Sequence, residues 1–431
     1  MSQRTDGDIK VPNKVVVAGF ISTFIEWYDF LVYGTVAALV FSQLFFPKLD
    51  AFAGTLAALS TFTVGFIARP LGGIVFGHFG DKIGRKKTLI VTLLMMAVAT
   101  TGIGLLPTYD QIGIWAPIML VVFRFFQGIS VGGEWGGVAL LLMEKAAPSK
   151  RGFIGSWAQI GGYLGPLAGA GVLAVVTSFT TPQEFLAWGW RIPFLISILL
   201  FILGLWVRLV MGESHVFEKA KKAPVPIASL FRYDTKNVLG IMAVHGAQSL
   251  TLYIVIVFFA GFLKTGASFT AAQSTLAVVS YLIGATAASM FGGWLSDYTG
   301  RFKVVGAGLV LSILIAFPLF AAAATGNINL VMLVTFTAGV ACGLIYGPEP
   351  AYFGELFPTQ YRYTGVSVGV QFGTLAAGAT APIVGTFLLG WAGGGTWAVA
   401  AYLIGWQIIG LLGLMALGET RGKALEERPG A

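Results

Sequence analysis

Charge is what this sequence has least of: of 431 residues only 11% are Asp, Glu, Lys or Arg, against 56% hydrophobic. So apolar a chain cannot solvate a disordered state or clothe a set of water-soluble domains, and both are excluded. Cysteine is nearly absent too. The single one, Cys342, lies in an apolar run and has no partner in its own chain, which excludes a disulfide scaffold. Histidine is limited to three residues. No His/Cys spacing of a zinc site, no nucleotide loop and no nucleophile with a base beside it is found, so no metal, no cofactor and no enzyme chemistry is expected.

Long apolar runs fill the space that charge leaves. A bilayer-crossing helix needs about 20 apolar residues. Twelve such runs are read near 16–43, 54–78, 88–106, 114–143, 153–179 and 190–211, then 238–263, 270–296, 304–324, 328–353, 363–389 and 395–417. The fold class is therefore an all-α membrane protein; barrel strands would alternate in polarity instead. The one long polar connection, 212–237, carries Lys219, Lys221, Lys222, Pro224 and Pro226. It reads as a cytoplasmic linker between a six-helix bundle over 1–211 and another over 238–431. The first run is longer than a signal-peptide core and lacks a small-residue cleavage site, so it is expected to stay in the mature chain.

The net charge of +8 follows from orientation. With the N-terminus inside, that face collects Arg4, Lys10, Lys14, Lys82, Arg85, Lys86, Lys87, Lys145, Lys150, Arg151, Arg208 and the linker lysines, and later Arg301, Lys303, Arg362 and Arg421. The opposite loops hold Lys48 and Lys264. The lysine and arginine bias of short loops fixes topology, so both termini are expected in the cytoplasm, the chain being a multi-pass, monomeric protein of the inner membrane. Anionic lipid, rather than nucleic acid, is the partner of such a face.

The chain also repeats itself. Gly77, Asp81, Gly84 and Arg85 recur as Gly293, Asp297, Gly300 and Arg301, each offset by 216. Glu144 and Arg151 flank the turn after the fourth run as Glu355 and Arg362 flank the turn after the tenth, and Glu213 with Ser214 matches Glu419 with Thr420. Parallel repetition of two six-helix units about an axis along the membrane normal follows, with a route between them. The segment from Gly77 to Lys87 resembles the signature loop of the major facilitator superfamily. Glu26-Trp27-Tyr28-Asp29-Phe30, Arg69-Pro70-Leu71-Gly72-Gly73, Gln127-Gly128 with Gly132-Gly133-Glu134, and Gly189-Trp190-Arg191-Ile192-Pro193-Phe194 resemble its metabolite:proton symporter branch, and are most similar to shikimate transporters. The resemblance implies two helical bundles working by alternating access. It further implies that Asp81 and Asp297 contact a neighbouring helix N-terminus when the cytoplasmic gate is shut, with Arg85, Glu144, Arg151, Arg301, Glu355 and Arg362 as latch candidates. The bland alternative is that these loops only mark topology.

Ionisable groups inside the membrane are costly and therefore functional candidates. The first span carries Glu26 and Asp29, three apart and read as one face, with Tyr33 a turn on; the second carries Arg69, and the fourth Arg124, Gln127 and Glu134. Counted at 1.5 Å per residue, Glu26, Arg69 and Glu134 share a depth of roughly 15 Å, with Asp29 and Arg124 above. Three acids then face two arginines, so one carboxylate can take a proton near neutral pH. Asp29, with Glu26 and Glu134, is the expected proton-coupling group, and Arg124, followed by Arg69, the expected bidentate partner of a substrate carboxylate. The alternative is that acids and arginines merely pair to hold helices together. The second half offers hydrogen-bonding groups suited to substrate hydroxyls: His245, Gln248, Tyr253, Tyr281, Tyr346 and Gln371. Glu349, between Pro348 and Pro350, is read as marking a broken helix or gate as readily as a ligand. The expected function is proton-coupled import of a small organic acid, either shikimate-like or another mono- or dicarboxylate. A compatible-solute (proline or betaine) symporter and a proton-coupled antiporter stand as alternatives, the latter because Gly161, Gly165, Pro166, Gly169 and Ala170 resemble an antiporter signature of the superfamily.

Overall fold

A computed structural model describes residues 13–210, 213, 226–423 and 425. Twelve long apolar helices run through it: α1 (Lys14–Phe45), α2 (Leu56–Ile83), α3 (Arg85–Leu105), α4 (Trp115–Lys145), α5 (Pro148–Phe179), α6 (Gly189–Leu209), α7 (Thr235–Thr265), α8 (Ala271–Thr299), α9 (Arg301–Ala324), α10 (Ile328–Gly354), α11 (Arg362–Trp391) and α12 (Trp397–Leu417). Their number and order are those read from the hydropathy. Of the linker expected at 212–237, the stretch Pro226–Tyr233 is helical, and α7 begins at Thr235, three residues before the expected 238. Arg4, Lys10, Lys219, Lys221, Lys222 and Ser214 lie outside the described residues.

The surface is that of a membrane protein. Large apolar side chains such as Val98, Phe179, Leu199, Trp206 and Phe387 point outward, whereas Glu26, Asp29, Arg69, Arg124 and Glu134 are buried. Hydrocarbon accepts the first set at no cost, and the second must find partners within the protein. Trp115, Trp188, Trp391 and Trp397 are exposed at the helix ends away from the basic loops, as expected of aromatics at a membrane interface.

Packing follows the repeat. Within the first six helices α1 lies on α5 and α2 on α4; within the last six α8 lies on α10 and α7 on α12. Between the two sets, α5 meets α8 and α2 meets α11. Glycine makes the closest of these approaches possible: a Cβ on Gly132 of α4 would strike the Arg69 carbonyl of α2. The duplicated loops share one backbone turn. Gly84 has φ of 111° and Gly300 of 100°, and each turns a tight corner into the next helix in a conformation that L side chains avoid. A wide π-helical turn also recurs, at Ala37–Phe41 in α1 and Ile254–Phe259 in α7. Such turns add a residue without ending the helix and are frequent at functional sites.

Candidate functional site

A narrow cavity of about 30 Å³, room for a water or two, lies in the middle of the molecule between the two sets of helices. Glu26 and Trp27 of α1, Arg69 of α2 and Trp135 of α4 form one wall; His245, Gln248 and Tyr253 of α7, Tyr346 of α10, and Gln371 and Thr374 of α11 form the other. The wall is organised by hydrogen bonds. Trp135 Nε1 donates to the Tyr346 hydroxyl at 3.0 Å and to Gln159 Oε1 at 3.2 Å, and Gln248 Nε2 donates to Cys342 Sγ at 3.2 Å. Arg69 lies over the rings of Phe30 at 5.1 Å and Phe66 at 4.8 Å, which hold a planar guanidinium by its faces. Glu26 Oε2 and Gln371 Oε1 have no protein hydrogen-bond partner. Buried polar atoms of this kind are costly unless something polar meets them, and here they face one another's walls of the same space.

Several expected site residues lie elsewhere. Asp29 does not share a face with Glu26: it accepts from Ser197 Oγ at 2.6 Å and from Thr100 Oγ1 at 3.0 Å, pointing to α6 and α3. Three residues turn a helix through 300°, and the remaining 60° offset is enough to send the two carboxylates to different neighbours. Gln127 donates to Thr100 at 2.7 Å and receives Arg124 Nη1 at 3.1 Å. Arg124 itself lies over Tyr33 at 4.2 Å and Phe62 at 4.9 Å, and the Tyr33 hydroxyl bonds Thr61 Oγ1 at 2.6 Å. Asp29, Thr100, Gln127 and Arg124 thus form a polar chain behind the cavity wall, and Arg124, Gln127 and Tyr33 do not line the cavity. Nor does Tyr281, which is packed in the core of the second half.

The charge count also changes. Arg208, read as a basic loop residue, is buried, and its guanidinium donates to Glu134 Oε1, to the Leu89 carbonyl and to Ser22 Oγ. Glu134 therefore pairs with Arg208 rather than with Arg69. The membrane layer of the first half holds three acids and three arginines, not three and two. Arg208 was missed because it sits in the last turn of an apolar helix, where sequence alone does not separate an arginine that turns inward from one that reaches the membrane surface. Trp27, Trp135 and Thr374 are further cavity residues that the sequence does not single out, and Glu349 lies behind the wall against His245. Helix α10 is broken, as Pro348 and Pro350 suggested, between Tyr346 and Glu349.

At the basic end the two halves are fastened to each other twice. Asp81 accepts the N–H groups of Tyr363 at 3.1 Å and Thr364 at 2.8 Å, at the start of α11. Asp297 accepts those of Gly152 at 2.9 Å and Phe153 at 2.8 Å, at the start of α5. Glu144 lies between Arg85 at 2.8 Å and Arg362 at 2.9 Å, and Glu355 between Arg301 at 3.4 Å and Arg151 at 3.6 Å. Burial raises the Glu355 carboxyl above its usual range despite these arginines. Burial acts the same way on Glu419, but the N–H groups of Arg421, Arg301, Thr420 and Phe302 outweigh it and hold that carboxyl low. All eight residues expected from the duplicated loops and turns meet here.

Comparison with known proteins agrees with this architecture. The family model described as "Sugar (and other) transporter" matches residues 14–238, and that of the "Major Facilitator Superfamily" matches residues 241–430. The chain is 37% identical over 417 residues to the shikimate transporter of Escherichia coli (strain K12), covering 95% of both. It is 33% identical over 434 residues to the proline/betaine transporter of the same strain, covering 98% of this chain and 86% of that one. The fold is shared with the proton:xylose symporter XylE bound to 6-bromo-6-deoxy-D-glucose, at a TM-score of 0.78 and 16% identity over 96% of this chain and 98% of that one. Twelve membrane-crossing helices in this order, closed at one end by two copies of one loop, and full-length similarity to such proteins place the chain in the major facilitator superfamily: it is a membrane transporter, not an enzyme.

Proposed function

We propose that the chain is a proton-coupled symporter that imports a small hydroxylated organic acid of the shikimate type by alternating access. The observation that carries this reading is that Glu26 and Arg69 share one wall of a central cavity whose opposite wall offers Gln248, Tyr253, Tyr346 and Gln371. The Arg69 guanidinium takes a carboxylate, the amides and phenols take hydroxyls, and Glu26, the carboxylate on the cavity wall, takes the proton. An anion arriving at Arg69 reduces the positive field on Glu26 and favours its protonation; by linkage, protonation tightens anion binding. The basic end is assigned to the cytoplasm of a bacterial inner membrane, which makes this structure closed to the inside. The chain acts as a monomer of two bundles, 1–211 and 238–431, rocking about the cavity.

One observation favours a second reading. Trp27, Trp135, Tyr253 and Tyr346 line the same cavity beside Glu26, and aromatic faces with one acid suit a quaternary ammonium. A zwitterion such as proline or betaine would set its carboxylate on Arg69 and its nitrogen among the rings. The helix 5 glycines that suggested an antiporter are packed on α1, where Gly161 meets Phe20 and Gly165 meets Phe24, so close packing accounts for them. The deciding experiment is uptake of labelled shikimate, proline and glycine betaine into proteoliposomes under an imposed pH gradient. Accumulation of shikimate that stops when the gradient is collapsed supports the first reading. Accumulation of betaine alone supports the second, and uptake only in exchange for a trans substrate overturns symport.

A further inference from the structure

The second half sets an ionisable pair of its own at the cavity wall, His245 lining the space and Glu349 behind it. His245 Nδ1 of α7 and Glu349 Oε2 of α10 are 2.8 Å apart, and His245 Nε2 is 3.1 Å from Thr374 Oγ1 of α11. Three helices therefore meet at one imidazole. Glu349 is fully buried immediately after the break in α10, and its second oxygen, Oε1, has no protein hydrogen-bond partner. Among the described residues its ion pairing is with His245 alone. The rings of Trp135, Tyr346 and Phe353 surround the imidazole at 5.8, 6.2 and 6.5 Å.

The other groups that face the pair are few. Helix α10 contributes the Tyr346 hydroxyl and the Cys342 thiol; Tyr253 of α7 and the neutral Gln371 of α11 line the same space as His245. Across the cavity stand Glu26 and Arg69. With a neutral imidazole and an ionised carboxylate the pair carries one net negative charge inside the membrane. One added proton, on either group, brings the pair to zero. Charge in a membrane interior costs a few kcal/mol or more, which favours the singly protonated, neutral pair over the anionic one. His245 and Thr374 line the same space as Arg69, so loading the pair also removes a negative charge from the path of an arriving anion. Helix α11, which carries Thr374, is the helix whose first N–H groups Asp81 holds at the basic end.

We propose that His245 and Glu349 form a second proton-binding site of the transport cycle, distinct from Glu26, so that two protons accompany each substrate monoanion. This rests on the symport reading above. The proton adds from cavity water to the shared position between Nδ1 and Oε2 and leaves from it to water on the other side; no other bond changes. Two protons with one monoanion move one net positive charge, whereas one proton with one monoanion moves none.

The test uses the full chain in proteoliposomes with shikimate as the probe and the membrane potential clamped at zero. The accumulation ratio is expected to rise about hundredfold per pH unit, against about tenfold for a single coupled proton, and shikimate is expected to evoke a current at symmetrical pH. Glu349→Gln and His245→Asn should each lower the steepness to the tenfold line and abolish the current. A tenfold slope in the wild type overturns the proposal whether or not the variants fold, and so does a hundredfold slope that both variants keep. A second measurement does not depend on the substrate: the ring nitrogens of His245 are followed by NMR through a pH titration in the His78→Asn, His215→Asn background. A titration that moves by a pH unit or more on Glu349→Gln supports the pair, and one that does not move overturns it. Absent shikimate uptake with a Glu349-dependent titration would sink the substrate reading and leave the proton site standing.

Discussion

The carboxylate of Asp81 accepts both the backbone N–H and the hydroxyl of Thr364 at 2.8 Å, joining residues 283 apart in the chain. A carboxylate at the first turn of a helix meets unsatisfied N–H groups and the positive end of the helix dipole. Because α2 and α11 belong to different halves, the same contact that satisfies α11 also closes the basic end.

Asp81→Asn should therefore weaken closure without touching the cavity. Charge-assisted hydrogen bonds contribute about 1.5–3 kcal/mol, so the closed population should fall roughly tenfold or more relative to the open one. Spin labels at Ser149 and Thr299, both exposed at that end, would report it as a longer distance in pulsed dipolar spectroscopy. Retention of the wild-type distance distribution together with a loss of shikimate binding would assign Asp81 to the substrate instead.

The orientation assigned above can be checked chemically. Cysteines at Ser2 or Ser229 should resist an impermeant thiol reagent in whole cells, whereas one at the exposed Ser178, at the opposite end, should react. The native Cys342 is buried and silent. Labelling at Ser2 and Ser229 with protection at Ser178 would invert the topology.

Arg69 and Arg124 make opposite predictions. Arg69 lines the cavity and Arg124 lies behind it, so Arg69→Lys, which keeps the charge and loses the fork, should weaken shikimate binding about tenfold or more. Arg124→Lys should change binding less and act through Gln127 and Thr100. Isothermal titration on the two variants decides; the reverse order would return the anion site to Arg124.

For the proton of the first half the contrast is between Glu26 and Asp29. Glu26→Gln imitates the protonated cavity carboxylate and should retain exchange of shikimate while losing accumulation against a gradient. Asp29→Asn can accept from one of the Ser197 and Thr100 hydroxyls through Oδ1 and donate Nδ2 to the other, and should accumulate shikimate with a reduced rate. Accumulation that survives Glu26→Gln and is lost in Asp29→Asn would move the proton to the buried chain of Asp29, Thr100 and Gln127.

Glu134 and Arg208 bear on stability. Removing Arg208 alone leaves a buried carboxylate without its cation, which costs about 3–5 kcal/mol. Arg208→Met should accordingly lower the melting temperature in detergent, and the double variant Arg208→Met, Glu134→Leu should regain most of it. A double variant no more stable than the single one would show that packing of the long side chain against Leu89 and Ser22, rather than charge, is what Arg208 supplies.

Twelve spans, their order and the duplicated loops and turns were determined by the sequence itself. These features are one-dimensional in origin: hydrocarbon demands an apolar run of a given length, a duplication leaves a fixed offset, and Gly84 and Gly300 mark backbone turns that other residues avoid. What the tertiary structure alone decided is which way each membrane-buried side chain faces. Glu26 and Asp29 are 60° apart around one helix, and only the position of α3 and α6 sends Asp29 away from the cavity that Glu26 lines. Depth along a helix is countable from the sequence, but azimuth is not, because it is set by neighbours from distant parts of the chain. For the same reason Arg208, in the last turn of an apolar run, became a partner of Glu134, and His245, which stands alone in the sequence, met Glu349 from a helix 104 residues away.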